Sequence, residues 1–575
     1  MGSKDRRPYE TATTLDQSLL NECAGNLVCD LRMICTIDVP PGSFPTDTLY
    51  LSDRNMVVGE HFYSARVTFP KIKRTVGEIL TPIVKFSTQT ITVNNSDGYF
   101  NSILPGGDAY DSFINRRVKI SVGLAEIQST YDNNVIFEGF ITEVGGFARA
   151  MDSFTIVARD RFDDLNTSFP NEAFSASEFP NIDDSLLGKL KPLIIGDWTV
   201  KVEESKGSSI PALIVNKLDP NMNGETANSN NLQCFISSNT NRVFDSSSVV
   251  LVRSSIAYQI DSSDITNINA NNNSFEIIQN GSTTIESSAY VYKSSDKFYC
   301  RVEGVSIDGS NTYADNAVEQ ARWILVNYGN ATNFSSNWNT LRDKSSPAQS
   351  AIFDIKSRVY ISKAEKALTY ALSLLEQIRC EAFINRSQQI DIATNHWEDF
   401  DDDPSTIVVD YDLERKSLRP AISDRNNINK ISGFYNFLPD LKENYQSTPL
   451  FKNQASIDQS KEITKGLVFA NLYIDTDVNN QVIEYLKFTS AFREDISMFV
   501  TWKFILTELD SWLKLAGGTG GTIYDGVPIR VRDIIFDSKG MKIGIKAFSY
   551  QMMPFGLWDG GYPGTVGGQN AVITS

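Results

Sequence analysis

Short runs in which apolar residues face one way and polar residues the other recur through the first two hundred positions. Residues 64–69, 90–93, 134–141 and 153–158 are strand-like, and 118–122 alternates as a strand with one wet face should. Residues 84–86 predict a further strand. Asn94-Asn95-Ser96-Asp97-Gly98 is a strong turn signal behind 90–93. Strands this short and evenly spaced predict a barrel or a sandwich. The block, placed at 46–200, closes on Leu190-Lys191-Pro192-Leu193-Ile194-Ile195-Gly196-Asp197-Trp198 and holds almost nothing capable of chemistry. An N-terminal arm at 1–45 precedes it. The arm ends in a predicted strand, where Leu27, Cys29, Leu31, Met33, Cys35 and Ile37 alternate with Val28, Asp30, Arg32, Ile34 and Thr36.

From 201 the pattern changes. Ser and Asn crowd 228–231, 246–248 and 269–274, with strand-like runs at 248–252 and 290–292, so 201–310 is expected to be an inserted β domain with long polar loops. Helical spacing follows. Asp315 can cap a helix with Ala317, Ala321, Ile324, Leu325 and Tyr328 on one face. Ser362-Lys363-Ala364-Glu365 is a capping-box pattern ahead of a stripe of Ala364, Leu368, Ala371, Leu372, Leu375 and Ile378. A hairpin over 380–392 completes a helix-plus-hairpin domain at 311–405. A second β block is expected at 406–555, with strands at 429–435 and 485–488 and a closing pair at 528–536 and 541–547. Helix and strand readings compete at 500–509, and the Gly-rich 556–575 is expected to be a C-terminal arm. The fold class is mainly β with a smaller α+β portion.

At 575 residues the chain exceeds one core, and about 150 residues per domain gives roughly three to four. Its 70 acidic against 53 basic residues, a formal charge of -17, oppose adhesion to phosphate backbones or anionic membranes. One nucleic-acid contact stays compatible with that balance: a channel wall along which DNA slides without sticking. No run of about 18 apolar residues occurs and the first residues are polar, so no membrane anchor is expected.

Candidate chemistry is sparse. Cys23, Cys29 and Cys35 are spaced by six residues with no nearby His, which matches no zinc knuckle and favours reduced structural thiols. Of two histidines, His396 lies sixteen residues after Cys380, but Cys380 ends an apolar helical stripe, and His61 is expected to make an ordinary polar contact. Asp399, Asp401 and Asp403 alternate as in a calcium loop, yet Pro404 stands where the turn glycine is needed; with Glu398 and Asp402 they are expected to form a solvated loop. Gly517-Gly518-Thr519-Gly520-Gly521-Thr522 lacks the following Lys-Ser or Lys-Thr of a phosphate cradle. No catalytic residue, cofactor site or metal site is expected.

Tyr50-Leu51-Ser52-Asp53-Arg54, then Val93-Asn94-Asn95-Ser96-Asp97-Gly98-Tyr99-Phe100, Arg117-Val118-Lys119-Ile120, Phe137-Glu138-Gly139-Phe140-Ile141 and Lys191-Pro192-Leu193-Ile194-Ile195-Gly196 resemble, in order and spacing, the baseplate hub or tail-tip hub proteins of long-tailed bacteriophages. The second half is similar in plan, through Asp424-Arg425-Asn426-Asn427-Ile428-Asn429-Lys430-Ile431 and Gly526-Val527-Pro528-Ile529-Arg530-Val531. The resemblance implies two tube-type β-barrel domains, at 46–200 and 406–555, in a homotrimeric virion protein assembled in the host cytoplasm. Its implied partners are a tail tube or distal tail protein, a tape measure protein and a tail spike or fibre, with phage DNA passing through without sequence-specific binding. The insertion at 201–310 is outside the resemblance. Competing readings are a distal tail or wedge-type baseplate protein, a host-surface glycan binder using 201–310, and a cell-wall-degrading enzyme using Glu398 or Asp401.

Overall fold

A computed structural model describes residues 31–76, 87–124, 128–132, 134–148, 151–179, 182–199, 210–215, 231–238, 244–254, 256–269, 273–302, 304, 314–342, 354–395, 404–409, 412–414, 417–423, 428–439, 443–459, 461–490, 493–516, 526–537, 542–549 and 573–574. The protein is mainly β with a smaller α+β portion.

Leu31–Asp38 pairs antiparallel with Thr48–Ser52 on one side and Arg117–Leu124 on the other. The sheet continues through Val135–Gly145 and Ser153–Asp160 to Thr88–Asn94. Its two ends meet on contiguous residues. His61–Ala65 lies parallel to Thr48–Ser52, and Val67–Thr68 lies antiparallel to Thr88–Asn94, so the segment 61–68 closes the sheet on itself. Inside lie Cys35, Ile91, Val93, Val118, Ile120, Phe154 and Ile156, all but removed from solvent. The alternation that put Cys35 on a buried face holds, whereas the strand carrying it is internal to this sheet rather than the end of an arm. Cys23, Cys29 and the strand expected at 84–86 lie outside the described residues.

A second sheet closes in the same way. Arg493–Val500, Lys542–Ser549, Val527–Asp537 and Trp512–Leu515 are antiparallel neighbours in that order. Ile407–Val408 runs parallel to Trp512–Leu515, while Leu413 and Arg419–Ser423 of the same segment pair antiparallel with Arg493–Val500. Both sheets thus follow one path: a bridging segment, a strand, a 3-10 turn (Asn101–Ile103 or Trp502–Phe504), then three strands of which the last returns beside the first. The middle strand of the three has 11 residues in each, and its pairing with the last is shifted by an irregularity in each. The first sheet is the wider because Leu31–Asp38 and Thr48–Ser52 stand between Arg117–Leu124 and the bridge.

A helical body with a core of its own follows the first sheet along the chain. Its first helix, Ala317–Asn327, is capped by Asn316, whose side chain accepts the Glu319 N–H at 2.9 Å; Asp315, the expected cap, pairs with Lys356 instead. The second helix is Ala367–Gln377. It begins after the expected capping box because Glu365–Lys366 is spent pairing with Ser168–Phe169 as a strand. The hairpin is Cys380–Ile384 with Ile390–Thr394. Residues 485–488 are helical, within Asp475–Thr489, because Val478, Val482, Tyr485 and Leu486 recur at helical spacing and are all buried. At 500–509 the strand ends at Val500 and a 3-10 turn follows.

Leu193–Gly196, expected at the edge of the first block, pairs with Arg358–Ile361 of the helical body. Its alternation serves two cores at once. Leu193 and Ile195 enter the helical core, whereas Ile194, with Trp198, enters the core of a seven-stranded sheet formed within 210–302. In that sheet 248–252 is a strand, as expected, and 290–292 is not.

Each of these isoleucines is fully buried, so replacement by alanine should cost about 2–4 kcal/mol. Ile194→Ala should accelerate hydrogen exchange in 210–302 first, and Ile195→Ala in 317–377; the same pattern from both would refute the division into two cores.

Candidate functional site

The closure of the first sheet converges on Arg66. Its N–H donates to the Ser52 carbonyl at 3.0 Å, and its own carbonyl accepts the Asn94 N–H at 2.8 Å. One residue therefore hydrogen-bonds to strands at both ends of the sheet. Its guanidinium then clamps Asp97 through two parallel bonds, Nη1 to Oδ1 at 2.8 Å and Nη2 to Oδ2 at 2.6 Å. The guanidinium carbon lies 4.6 Å from the centre of the Tyr99 ring.

Asp97 is presented by the turn that the sequence marked. Asn95, almost fully buried, accepts the Phe100 N–H at 2.8 Å and donates to Asn101 Oδ1 at 3.0 Å and the Met151 carbonyl at 3.2 Å. Gly98 has φ +73°, where a side chain would be strained, and a Cβ there would lie 2.9 Å from Asn101 Nδ2. Phe100 drops into the core against Phe154, ring centres 5.7 Å apart. The bond from Arg66, followed by the Tyr99 N–H, holds the Asp97 carboxyl down at about 2.

A second junction joins the two closed sheets. Ile72–Thr75 leaves the first sheet and pairs antiparallel with Val527–Asp537, from Ile72 opposite Phe536 to Thr75 opposite Asp533. Arg74 is buried and reaches Glu508 at 2.6 Å and the Ile384 carbonyl at 3.1 Å. Glu508 also accepts the Arg386 N–H at 2.7 Å, so it holds the hairpin turn and the strand from the first sheet together. Nearby, buried Asp510 lies 2.6 Å from Arg530 and 3.6 Å from Arg532, and Arg532 reaches Glu381 of the hairpin at 2.6 Å. These contacts fix the positions of whole units.

Of the residues singled out for chemistry, His61 stacks on Tyr50 with ring centres 4.1 Å apart and a 3.4 Å contact between Nε2 and the Tyr50 hydroxyl. Cys380 is buried below the second helix, its S–H directed at the Ile378 carbonyl. His396, residues 398–403 and the glycines at 517–522 lie outside the described residues. Among the described residues no cluster of His, Cys, Asp and Glu could hold a metal ion. Arg66, Arg74 and Glu508 were missed by the sequence reading. The signal for Arg66 was the N-x-D-G turn itself, whose outward carboxylate calls for a cation.

No known family matches the chain, and no curated protein matches it. Among solved structures it is similar to the 43 kDa tail protein of prophage MuSo2 from Shewanella oneidensis, with 10% identity over 91% of this chain and 99% of that one and a TM-score of 0.39. It is also similar to a tail protein from Neisseria meningitidis MC58, with 6% identity over 92% and 98% and a TM-score of 0.40. A third is prophage tail protein gp18 from Listeria monocytogenes EGD-e, with 8% identity over 62% and 94% and a TM-score of 0.24.

Because Asp97 titrates lower in the fold than its ordinary 3.8, its pairing contributes stability above that value and loses it as pH falls through about 2. Asp97→Asn should therefore melt below the wild type at pH 6, and the gap should close toward pH 2. A gap unchanged with pH would show that the carboxylate charge is not what Arg66 uses.

Proposed function

We propose that the chain is a structural virion protein, a homotrimeric baseplate or tail-tip hub that joins a sixfold tail tube to a threefold tip or spike and forms part of the channel for DNA. The observation that carries this reading is the pair of closed sheets with one strand order in a single chain. Three such chains present six closed sheets, which meets a sixfold partner on one side while the assembly keeps threefold symmetry for the other. A tail tube or distal tail protein would sit on the sixfold side, with a tape measure protein inside and a spike or fibre beyond.

The charge of the chain agrees with that role. At -17 its surface field repels phosphate, so DNA would pass without being held. The domain plan follows as two tube-type units separated by the inserted sheet and the helical body. The inserted sheet, anchored through Ile194 and Trp198, would then project from the assembly as a separate body.

Native mass measurement of the purified full-length chain tests the reading. A stable species at three times the chain mass is expected, and low-resolution imaging of it should show six densities about the axis. A chain that stays monomeric at high concentration, or forms a hexamer, would remove the hub assignment.

A further inference from the structure

We propose that Ile72–Thr75 is a releasable strap, which couples the two closed sheets and can leave the second one without opening either. The chain enters the strap from Phe69, at the end of the bridging segment, and is back in the first sheet at Thr88. Both ends of the strap therefore belong to the first sheet, while its β pairing is made with the second. Neither closure depends on it. The first closes at Arg66, and the second closes where Ile407–Val408 and Leu413 meet Trp512–Leu515 and Val500.

The strap's attachment is part apolar, through buried residues that share a core with the second sheet, and part polar. Ile72 is fully buried and supplies an apolar anchor, with Val76 beyond the strand. The remaining contacts are charged or hydroxyl groups: Lys71 with Asp537 at 3.2 Å, Lys73 with Asp533 at 2.9 Å, Arg74 with Glu508 at 2.6 Å, and the Thr75 hydroxyl donating to Asp533. Lys71 and Lys73 are largely exposed, although Asp537 and Asp533 are nearly buried, so salt reaches the cationic side of each pair and screens it in part. On its other edge the strap has side-chain bonds in place of a ladder: Ser87 and Gln89 both donate to the Lys73 carbonyl. Those bonds keep a released strap with the first sheet. Release would bare residues 533–536, an antiparallel edge of the second sheet able to accept another strand.

Native-state hydrogen exchange on the full-length chain tests this, and it requires no oligomer, so it can fail independently of the hub reading. The Val76 N–H donates to the Arg532 carbonyl, and antiparallel alternation makes Arg74 opposite Ile534 the next hydrogen-bonded pair. The amides of Arg74 and Val76 should exchange at least about tenfold faster than those of Thr88–Asn94 that pair into the first sheet, through an opening short of global unfolding. High salt and Glu508→Gln should each speed the strap amides and leave Thr88–Asn94 unchanged. Thr75 and Asp533 are a non-hydrogen-bonded pair, and Thr75→Cys with Asp533→Cys, oxidised, should abolish the fast exchange. Strap amides that exchange in step with Thr88–Asn94 under all these conditions would overturn the proposal.

Discussion

The fold depends on how a sheet disposes of its two edges. An open sheet leaves rows of unpaired N–H and C=O groups that must be covered, paired or charged. Here two of the three large sheets remove the problem by turning one short segment so that its first half runs parallel to one end and its second half antiparallel to the other. Arg66 stands where the first segment changes partner, and its backbone serves both sides within a single residue. The turn at 95–98 is then more than a connection. It delivers Asp97 to the side chain of that residue, while Asn95 and Phe100 secure the turn from inside.

Among the described residues the two closed sheets are joined by a ladder at a place where a strand outruns its neighbour. Val527–Asp537 does so. Its first half pairs with the four-residue Trp512–Leu515, and its second half is left for Ile72–Thr75 on the same side. Of the charges gathered there, Arg74, Asp510, Arg530 and Arg532 are buried or nearly so, and Glu508 is partly exposed. Such pairs add little net stability, because desolvation offsets the attraction. They discriminate strongly against misplacement, however, since a shifted register would strand a buried charge. We take them as what sets the relative position of the hairpin, the second sheet and the strap.

What could be read from the sequence was whatever a short window contains. Alternation located Cys35 and Ile37 on a dry face, and Gly98 marked a turn that needs a positive φ. The long final hairpin, Val527–Asp537 with Lys542–Ser549, was visible for the same reason. Windows failed where the partner decides. Glu365 looks like half of a capping box, yet the arrival of Ser168–Phe169 makes it a strand residue. Tyr485 to Phe488 has the composition of a strand, and its helical state appears only when Val478 and Val482 are counted with it. Ile72-Lys73-Arg74-Thr75 has no distinguishing pattern at all, because its strand character comes from residues 533–536, far along the chain.

The same limit explains why the likeness between the two sheets was legible as a plan but not as residues. A shared strand order needs only that each segment be strand-forming and each turn be the right length. The first bridge uses Arg66 and an exposed carboxylate. The second, at Asp412, has that buried carboxylate meeting Lys503 at 3.2 Å, while the Thr501 N–H donates to the Asp412 carbonyl. In each case a charge pair ties the bridging segment to the turn that follows the adjoining strand, but the signs are exchanged: the cation is on the bridge in the first sheet and on the turn in the second. What the two units share is therefore the geometrical demand for a tie at that point, which opposite residue choices satisfy equally well, and a comparison of amino acids position by position would miss it.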